Sequence, residues 1–165
     1  MTVKVGITEM TNEIERKFLV KEMPRGLGDY RASEICQGYL AVTDDIEIRV
    51  RKKGDRYYET VKSGKGLKRK EVEIELGEKG LNVLWPLTEG MRIEKTRYDI
   101  PYGEYVVELD VYSGDLAGLV VAEVEFPTEE ASREFKPPGW LGREITDDVR
   151  YSNRHLALYG KPEDV

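Results

Sequence analysis

Alternating apolar and polar residues recur along most of the chain, and this period of two is typical of β-strands. Eight segments show the pattern: residues 11–20, 35–42, 46–53, 57–63, 70–76, 91–100, 104–112 and 119–126. Short polar turns separate them, and such turns favour hairpins and therefore antiparallel neighbours. The pattern predicts an antiparallel meander, and closure into a barrel is the simplest way for eight strands to remove their edges.

Helical patterns interrupt the strands at two places. Residues 78–85 end before Pro86, and residues 147–159 follow the capping candidate Thr146 and end at Gly160. Residues 24–30 and 128–135 are expected to add single turns or short helices. The expected fold is mainly β, within the α+β class: an eight-stranded antiparallel closed β-barrel with a few surface or plug helices. At 165 residues, the chain is expected to form a single domain over 1–165 with its core at about 12–158.

Charged residues occupy strand faces that would be apolar in an ordinary barrel. Residues i and i+2 of a strand point to the same side, so each of six charged pairs shares a face. The pairs are Glu13 with Glu15, Arg49 with Arg51, Glu71 with Glu73, Lys95 with Arg97, Glu108 with Asp110, and Glu123 with Glu125. A half-buried sheet with a solvated outer face is one explanation. Four acidic pairs on one exposed face would repel each other, which favours charged faces that point into a water-filled lumen.

The two signs of charge are concentrated in different parts of the chain. Residues 47–70 contain ten basic and three acidic residues, whereas residues 99–130 contain nine acidic residues and no Lys or Arg. Carboxylates buried without partners are costly, so a lumen lined by these segments needs counter-ions such as a divalent metal and a polyanion. The net charge of −6 disfavours a nucleic-acid partner, since dedicated DNA-binding domains are usually strongly basic.

Membrane and export signals are not evident. No stretch approaches the roughly 18 apolar residues of a membrane span, so we expect no membrane partner. The first ten residues show no basic region followed by a long apolar one, and the single cysteine, Cys36, cannot form an internal disulfide. These features predict a cytoplasmic protein.

The charged motifs follow a recognisable order. They are Glu13-Ile14-Glu15-Arg16-Lys17, Gln37-Gly38-Tyr39-Leu40, Ile48-Arg49-Val50-Arg51, Thr60-Val61-Lys62, Arg69-Lys70-Glu71-Val72-Glu73, Ile93-Glu94-Lys95-Thr96-Arg97-Tyr98, Val107-Glu108-Leu109-Asp110, Ala122-Glu123-Val124-Glu125 and Glu144-Ile145-Thr146-Asp147 with Tyr151-Ser152-Asn153. This order resembles the CYTH superfamily, the triphosphate tunnel metalloenzymes, and most of all its short bacterial inorganic tripolyphosphatases. The resemblance implies an eight-stranded tunnel that binds triphosphates with Mg²⁺ or Mn²⁺. It also implies that Tyr39 and the helix with Asn153 close or line one end, although simple packing explains them equally well.

Triphosphate chemistry suggests a role for each residue type. Arg supplies bidentate donors to phosphate oxygens and Lys supplies movable point charges. The candidates for this substrate clamp are Lys17, Arg49, Arg51, Lys62, Lys95 and Arg97. Magnesium prefers hard oxygen ligands. The candidate metal ligands are Glu13, Glu15, Glu123 and Glu125. The remaining acids are the catalytic candidates, for a second metal or for positioning the attacking water: Glu71, Glu73, Glu108 and Asp110.

Metal-dependent hydrolysis is the predicted reaction, because phosphoryl transfer needs in-line geometry and charge neutralisation more than a side-chain nucleophile. The compact chain favours inorganic tripolyphosphate as substrate, cleaved to diphosphate and orthophosphate, with possible weaker hydrolysis of ATP. Four alternatives stay open at this point. They are a class IV-type adenylyl cyclase that forms cyclic AMP, a thiamine triphosphatase, a non-catalytic binder of polyphosphate or nucleotides, and an acidic-faced barrel with a protein partner.

Overall fold

A computed structural model describes residues 5–9, 14–64 and 70–164 of the chain. Within these ranges ten strands form one sheet, in which every neighbouring pair is antiparallel. The strands are β1 (Val5–Glu9), β2 (Ile14–Val20), β3 (Arg31–Val42), β4 (Ile46–Lys53), β5 (Arg56–Ser63), β6 (Lys70–Leu76), β7 (Arg92–Tyr102), β8 (Tyr105–Tyr112), β9 (Val120–Phe126) and β10 (Leu141–Glu144). Their order across the sheet is β1-β6-β5-β4-β3-β7-β8-β9-β2-β10.

The predicted class, a mainly antiparallel β fold with few helices, is confirmed, but two details of the prediction are wrong. The sheet has ten strands instead of eight, because the amino-terminal segment contributes both β1 and β2 and because residues 141–144 add β10. Hydrogen bonds also do not close it: within the described ranges no backbone pairing joins β1 to β10. The amino-terminal segment instead pairs with two different strands, since β1 pairs with β6 and β2 pairs with β9.

The sheet curls around a common interior. Glu71 of β6 and Glu15 of β2 lie near opposite ends of the strand order, yet both side chains line the same cavity. A flat sheet would separate these strands by several strand widths of about 4.8 Å each. The curl therefore brings the charged faces of both halves of the sheet toward each other.

Three helices accompany the sheet: α1 (Glu78–Leu84), α2 (Glu129–Glu134) and α3 (Asn153–Tyr159). The helix predicted over 147–159 is divided, since a short 3-10 turn over Val149–Tyr151 precedes α3. Thr146 is not its cap. The Thr146 hydroxyl accepts the backbone N–H of Lys17 and donates to Glu144, whereas Ser152 caps α3 by accepting the backbone N–H of His155. Thr146 is thus held by β2 and β10 and cannot start a helix.

Apolar side chains form two clusters. One covers the outer face of β2, β8 and β9 and includes Phe18, Leu109 and Val124, each 2% exposed or less. The other contains Tyr39, Tyr112 and several residues of α3, and it fills one end of the curled sheet. In the part of the chain that is described, no helix is long and apolar enough to cross a membrane.

Candidate active site

A cavity of about 350 Å³ lies inside the curled sheet, and its lining is almost entirely charged. Six basic side chains line it: Lys17, Arg49, Arg51, Lys62, Lys95 and Arg97. Four acidic side chains join them: Glu15, Glu71, Glu123 and Glu125. The remaining lining residues are Ile35, Gln37 and Asn153. The structure therefore brings together every residue predicted for the substrate clamp, and the apolar faces of the strands point away from the cavity.

On the β7–β8 side, basic residues are bonded tightly to an acid. The Lys95 ammonium donates to Asp110 Oδ2 at 2.6 Å, and Arg97 donates to both Asp110 oxygens at 2.7 and 2.8 Å. Asp110 is 2% exposed. Burial alone would raise the pKa of Asp110, but the hydrogen bonds and charges of Arg97 and Lys95 outweigh burial and lower this pKa. Asp110 is consequently a fixed anion that holds two cations in place.

Glu108 lies beside the same cluster but in a different environment. Its carboxylate is 2.7 Å from Arg97 Nη1, and it lines a second cavity of about 300 Å³ that also contacts Glu125. Burial raises the pKa of Glu108, and the neighbouring acids Glu123, Asp110 and Glu125 raise it further. Arg97 lowers this pKa but does not cancel the increase. Glu108 therefore accepts a proton or a cation more readily than an ordinary glutamate.

Acidic side chains meet across β2 and β9. The backbone register places Glu15 opposite Glu125 and Lys17 opposite Glu123, with Lys17 Nζ 3.4 Å from Glu123 Oε2. Burial raises the pKa of Glu123, whereas Lys17, a hydrogen bond with the Glu15 carboxyl, Arg97 and Lys95 together lower it. Glu13, the fourth predicted metal ligand, lies outside the described residues.

These carboxylates are chemically suited to a hard divalent cation. Glu15, Glu123 and Glu125 offer only oxygen donors and face one cavity. The described residues contain no group of three or more His, Cys, Asp or Glu side chains that could hold a metal ion by themselves. Some divalent cations are held by one or two carboxylates together with substrate phosphates and water, and this arrangement is compatible with such a site.

On the β4–β5 side, basic residues are less closely paired. Arg49 lies 3.8 Å from Glu47 and Arg51 lies 3.6 Å from Glu73, while Lys62 forms an ion pair of 3.9 Å with Glu71 among its contacts. Among the described residues, Nε of Arg49 and Nε of Arg51 are buried without a hydrogen-bond partner. Burial, followed by the like charge of Arg49, lowers the pKa of Arg51. Buried donors without acceptors are costly, and an anion in the cavity would satisfy them.

The four predicted catalytic acids lie in two places. Glu71 and Glu73 are on β6, where Glu71 lines the main cavity and Glu73 accepts a 3.4 Å hydrogen bond from the Thr60 hydroxyl. Glu108 and Asp110 are on β8, bonded to Arg97. Sequence reasoning assigned no separate role to Gln37, which lines the cavity and donates to the Tyr39 hydroxyl at 2.8 Å. Gln37 lies two residues before Tyr39, so both side chains share one face of the strand. This spacing could have indicated from the sequence that Gln37 faces the interior.

The fold and the charged cavity define a class of protein, and comparison with known families identifies it. A model described as the CYTH domain matches residues 11–153. The chain therefore belongs to the CYTH family, which confirms the resemblance seen in its motifs.

Individual relatives are similar over nearly the whole chain. An inorganic triphosphatase of Nitrosomonas europaea is 49% identical over 149 residues, covering 88% of this chain and 97% of the relative. An inorganic triphosphatase of Acetivibrio thermocellus is 40% identical over 155 residues, covering 90% and 94%. The crystal structure of the inorganic triphosphatase NE1496 has a TM-score of 0.76 with 45% identity, covering 92% of this chain and 97% of that one.

Proposed function

We propose that this chain is a metal-dependent inorganic triphosphatase that hydrolyses tripolyphosphate to diphosphate and orthophosphate. One observation carries the proposal: six basic side chains converge on a single cavity in which Ile35 is the one apolar residue among the described lining residues. A small polyanion without an organic group is the ligand that such a surface matches best. The relatives named inorganic triphosphatase support the same substrate.

The two groups of cations take complementary parts in this proposal. Lys95 and Arg97 are fixed by Asp110 before substrate binds, so they provide a rigid positive surface for phosphate oxygens. Arg49 and Arg51 have buried Nε groups that lack acceptors, and phosphate oxygens would supply them. Substrate binding thus satisfies donors that are otherwise costly to bury.

Mg²⁺ or Mn²⁺ is the proposed cofactor, held by Glu15, Glu123 and Glu125 and, from the sequence motif, by Glu13. When bound, the ion neutralises charge on the phosphate oxygens and lowers the pKa of a bound water. The three described carboxylates line the same cavity as the basic side chains, so the cation and the triphosphate would occupy one space.

Among the four catalytic candidates, Glu71 is best placed to orient the attacking water. It is the one whose side chain lines the main cavity, whereas both oxygens of Asp110 are occupied by Lys95 and Arg97. The water oxygen attacks the terminal phosphorus in line, the bond from that phosphorus to the bridging oxygen breaks, and diphosphate leaves with the electron pair. In this assignment Asp110 contributes indirectly, because it holds Lys95 and Arg97 in position.

Phosphate release tests this function directly. Purified protein is incubated with tripolyphosphate, diphosphate, ATP and thiamine triphosphate, each with Mg²⁺, Mn²⁺ or EDTA. We expect fastest release from tripolyphosphate, weaker release from ATP, and none with EDTA. Glu71→Gln should reduce turnover, and Glu78→Gln on α1 serves as a matched control. Absence of release from every substrate with both metals would overturn the proposal.

The remaining candidates from the sequence are separated in the same experiment. An adenylyl cyclase would form cyclic AMP from ATP, and a non-catalytic binder would bind tripolyphosphate in calorimetry without turnover. We also propose a cytoplasmic location, since the chain has one cysteine, Cys36, and it is unpaired in the described structure.

A further inference from the structure

The ammonium of Lys95 is held from several directions. It donates to Asp110 at 2.6 Å, lies 3.5 Å from Asn153 Oδ1, and is 5.3 Å from the centre of the Tyr112 ring. Lys95 and Tyr112 face each other in the register of β7 and β8, whereas Asn153 is the first residue of α3. A side chain from outside the sheet therefore reaches a cation of the cavity.

Asn153 is itself oriented by Tyr112. The Tyr112 hydroxyl donates to Asn153 Oδ1 at 2.9 Å, and Tyr112 is 4% exposed within the cluster that fills one end of the sheet. Because the Lys95 ammonium can only donate, the amide oxygen is the atom directed at both Lys95 and Tyr112. The ammonium thereby selects one of the two possible orientations of the amide, and the Tyr112 hydroxyl holds that orientation by donating to the same oxygen.

Neighbouring contacts fix the point at which α3 begins. The Ser152 hydroxyl caps the helix by accepting the backbone N–H of His155 at 3.2 Å. Tyr151 is 1% exposed, and its hydroxyl donates to Asp164 and accepts from Arg143, each at 3.1 Å. A helix of seven residues has little stability of its own, so these anchors determine where Asn153 is placed.

We propose that Asn153 and Tyr112 are positioning residues that direct the Lys95 ammonium into the cavity, in addition to Asp110. With one donor hydrogen on Asp110 and one toward Asn153, the third hydrogen of the ammonium is left for a phosphate oxygen. Losing the Asn153 oxygen makes the ammonium more mobile, so that its third hydrogen is no longer directed at the substrate position. The catalytic consequence rests on the proposed function, whereas the placement of Lys95 does not.

Kinetics on tripolyphosphate test the catalytic consequence. Asn153→Leu removes the acceptor at similar volume, and we expect kcat/KM to fall about tenfold, the typical effect of a hydrogen bond to a charged group. Asn153→Asp keeps an acceptor oxygen and should retain most activity, while Tyr112→Phe, which keeps the ring, should lose severalfold. The matched controls are Asn82→Leu on exposed α1 and Tyr159→Phe, 73% exposed on α3.

A double-mutant cycle separates positioning from direct substrate contact. If Asn153 acts through Lys95, Asn153→Leu should cause no further loss of kcat/KM in a Lys95→Met background. An equal tenfold loss in both backgrounds would overturn the proposal, because Asn153 would then bind substrate independently.

Chemical labelling tests the placement of Lys95 without any assay of activity. The rate of acetylation of Lys95 is measured by mass spectrometry relative to Lys161 in the same digest. We expect it to rise at least about threefold in Asn153→Leu and Tyr112→Phe, since a buried ammonium that loses a partner becomes more mobile and accessible. Asn153→Asp and Tyr159→Phe should label like the wild type. If Asn153→Leu and Tyr112→Phe label at the wild-type rate, the proposal is overturned even when the enzyme is active. If the two variants label faster but the wild type hydrolyses no substrate, only the proposed function is rejected.

Discussion

The basic residues on β7 differ from those on β4 in the partners that the protein supplies. Lys95 and Arg97 make hydrogen bonds of 2.6 to 2.8 Å to one buried aspartate. Arg49 and Arg51 lie 3.6 Å or more from their nearest acids, and each has a buried Nε without a partner in the described structure. The protein therefore holds Lys95 and Arg97 in place before substrate binds, whereas its described residues supply no carboxylate at a comparable distance to Arg49 and Arg51.

This difference separates stability from binding. A buried cation paired with a buried anion contributes to a fixed structure, and removing either partner is strongly unfavourable. A buried cation without a close partner lowers the free energy of unfolding of the ligand-free protein. A ligand that pairs with this cation removes the penalty, which increases the binding affinity. Substitutions on the β7–β8 side of the cavity should consequently lower mainly the stability, whereas substitutions on the β4 side should lower mainly the affinity for substrate.

The largest expected effect is on stability, at Asp110. Asp110→Asn leaves the buried Lys95 without its anion and leaves Arg97 paired only with Glu108, and we expect the free energy of unfolding to fall by about 3–5 kcal/mol. Urea denaturation followed by circular dichroism measures it. The matched control is Asp148→Asn, whose partner Arg150 is exposed, and it should leave the urea midpoint nearly unchanged. A small effect at Asp110 would remove the distinction between the two sides.

The pH dependence of stability should reflect the same carboxylate. Because the pKa of Asp110 is lower in the folded chain than in the unfolded chain, its contribution is fully present above the unfolded value of about 4. That contribution is lost as the pH falls through the lower, folded-state pKa. Urea midpoints from pH 7 to pH 2.5 should therefore decrease more steeply in the wild type than in Asp110→Asn. Parallel curves would contradict this assignment.

The next effect is on substrate affinity, at Arg51. Arg51→Met removes a half-buried guanidinium whose buried Nε lacks an acceptor in the described structure, so KM for tripolyphosphate should rise roughly 10- to 100-fold, as expected for charge-assisted hydrogen bonds. The urea midpoint should stay constant or increase. Lys52→Met, the adjacent residue on the opposite face of β4, is the control and should change neither quantity. A large loss of stability with unchanged KM would reverse the comparison.

The smallest expected effect is at Thr60, which is 1% exposed and donates to Glu73 at 3.4 Å. Thr60→Val keeps the shape and removes this weak hydrogen bond, so kcat/KM should fall by only about two- to fivefold. Steady-state kinetics with tripolyphosphate measures the change. Thr96→Val is the control, because Thr96 lies on the face of β7 opposite to that of Lys95 and Arg97. A hundredfold loss would instead place Glu73 among the residues that act directly on substrate.

The strand faces and the convergence of the six basic side chains on one cavity were predictable, because both depend on a period of two that is visible in the residues. Arg49 with Arg51, and Lys95 with Arg97, share faces in any strand. Two short elements were not predictable in the same way. Residues 31–34 of β3 have no apolar alternation and pair with β7 through the backbone, and β10 has only four residues, held beside β2.

The division of the acids depends on register, which the residues alone do not reveal. Asp110 lies opposite Arg97, and Glu108 lies opposite both Asp99 and Glu123, so two acids two residues apart have pKa values shifted in opposite directions. Capping shows the same dependence on tertiary contacts. Thr146 and Ser152 are both capping residue types, but Thr146 is held by the backbone of β2 and only Ser152 caps α3.

The central claim is that tripolyphosphate binds Arg49 and Arg51, whose buried Nε groups lack acceptors in the described structure. Calorimetric titration of tripolyphosphate tests this claim most directly. The reference protein is Glu71→Gln, which slows turnover, and it is compared with the same protein carrying Arg51→Met or Lys52→Met, with Mg²⁺ at one ionic strength. We predict one binding site per chain, with equal affinity in the reference and Lys52→Met and at least about tenfold weaker binding in Arg51→Met. Equal affinity in all three proteins would show that the anion binds elsewhere and would contradict the account.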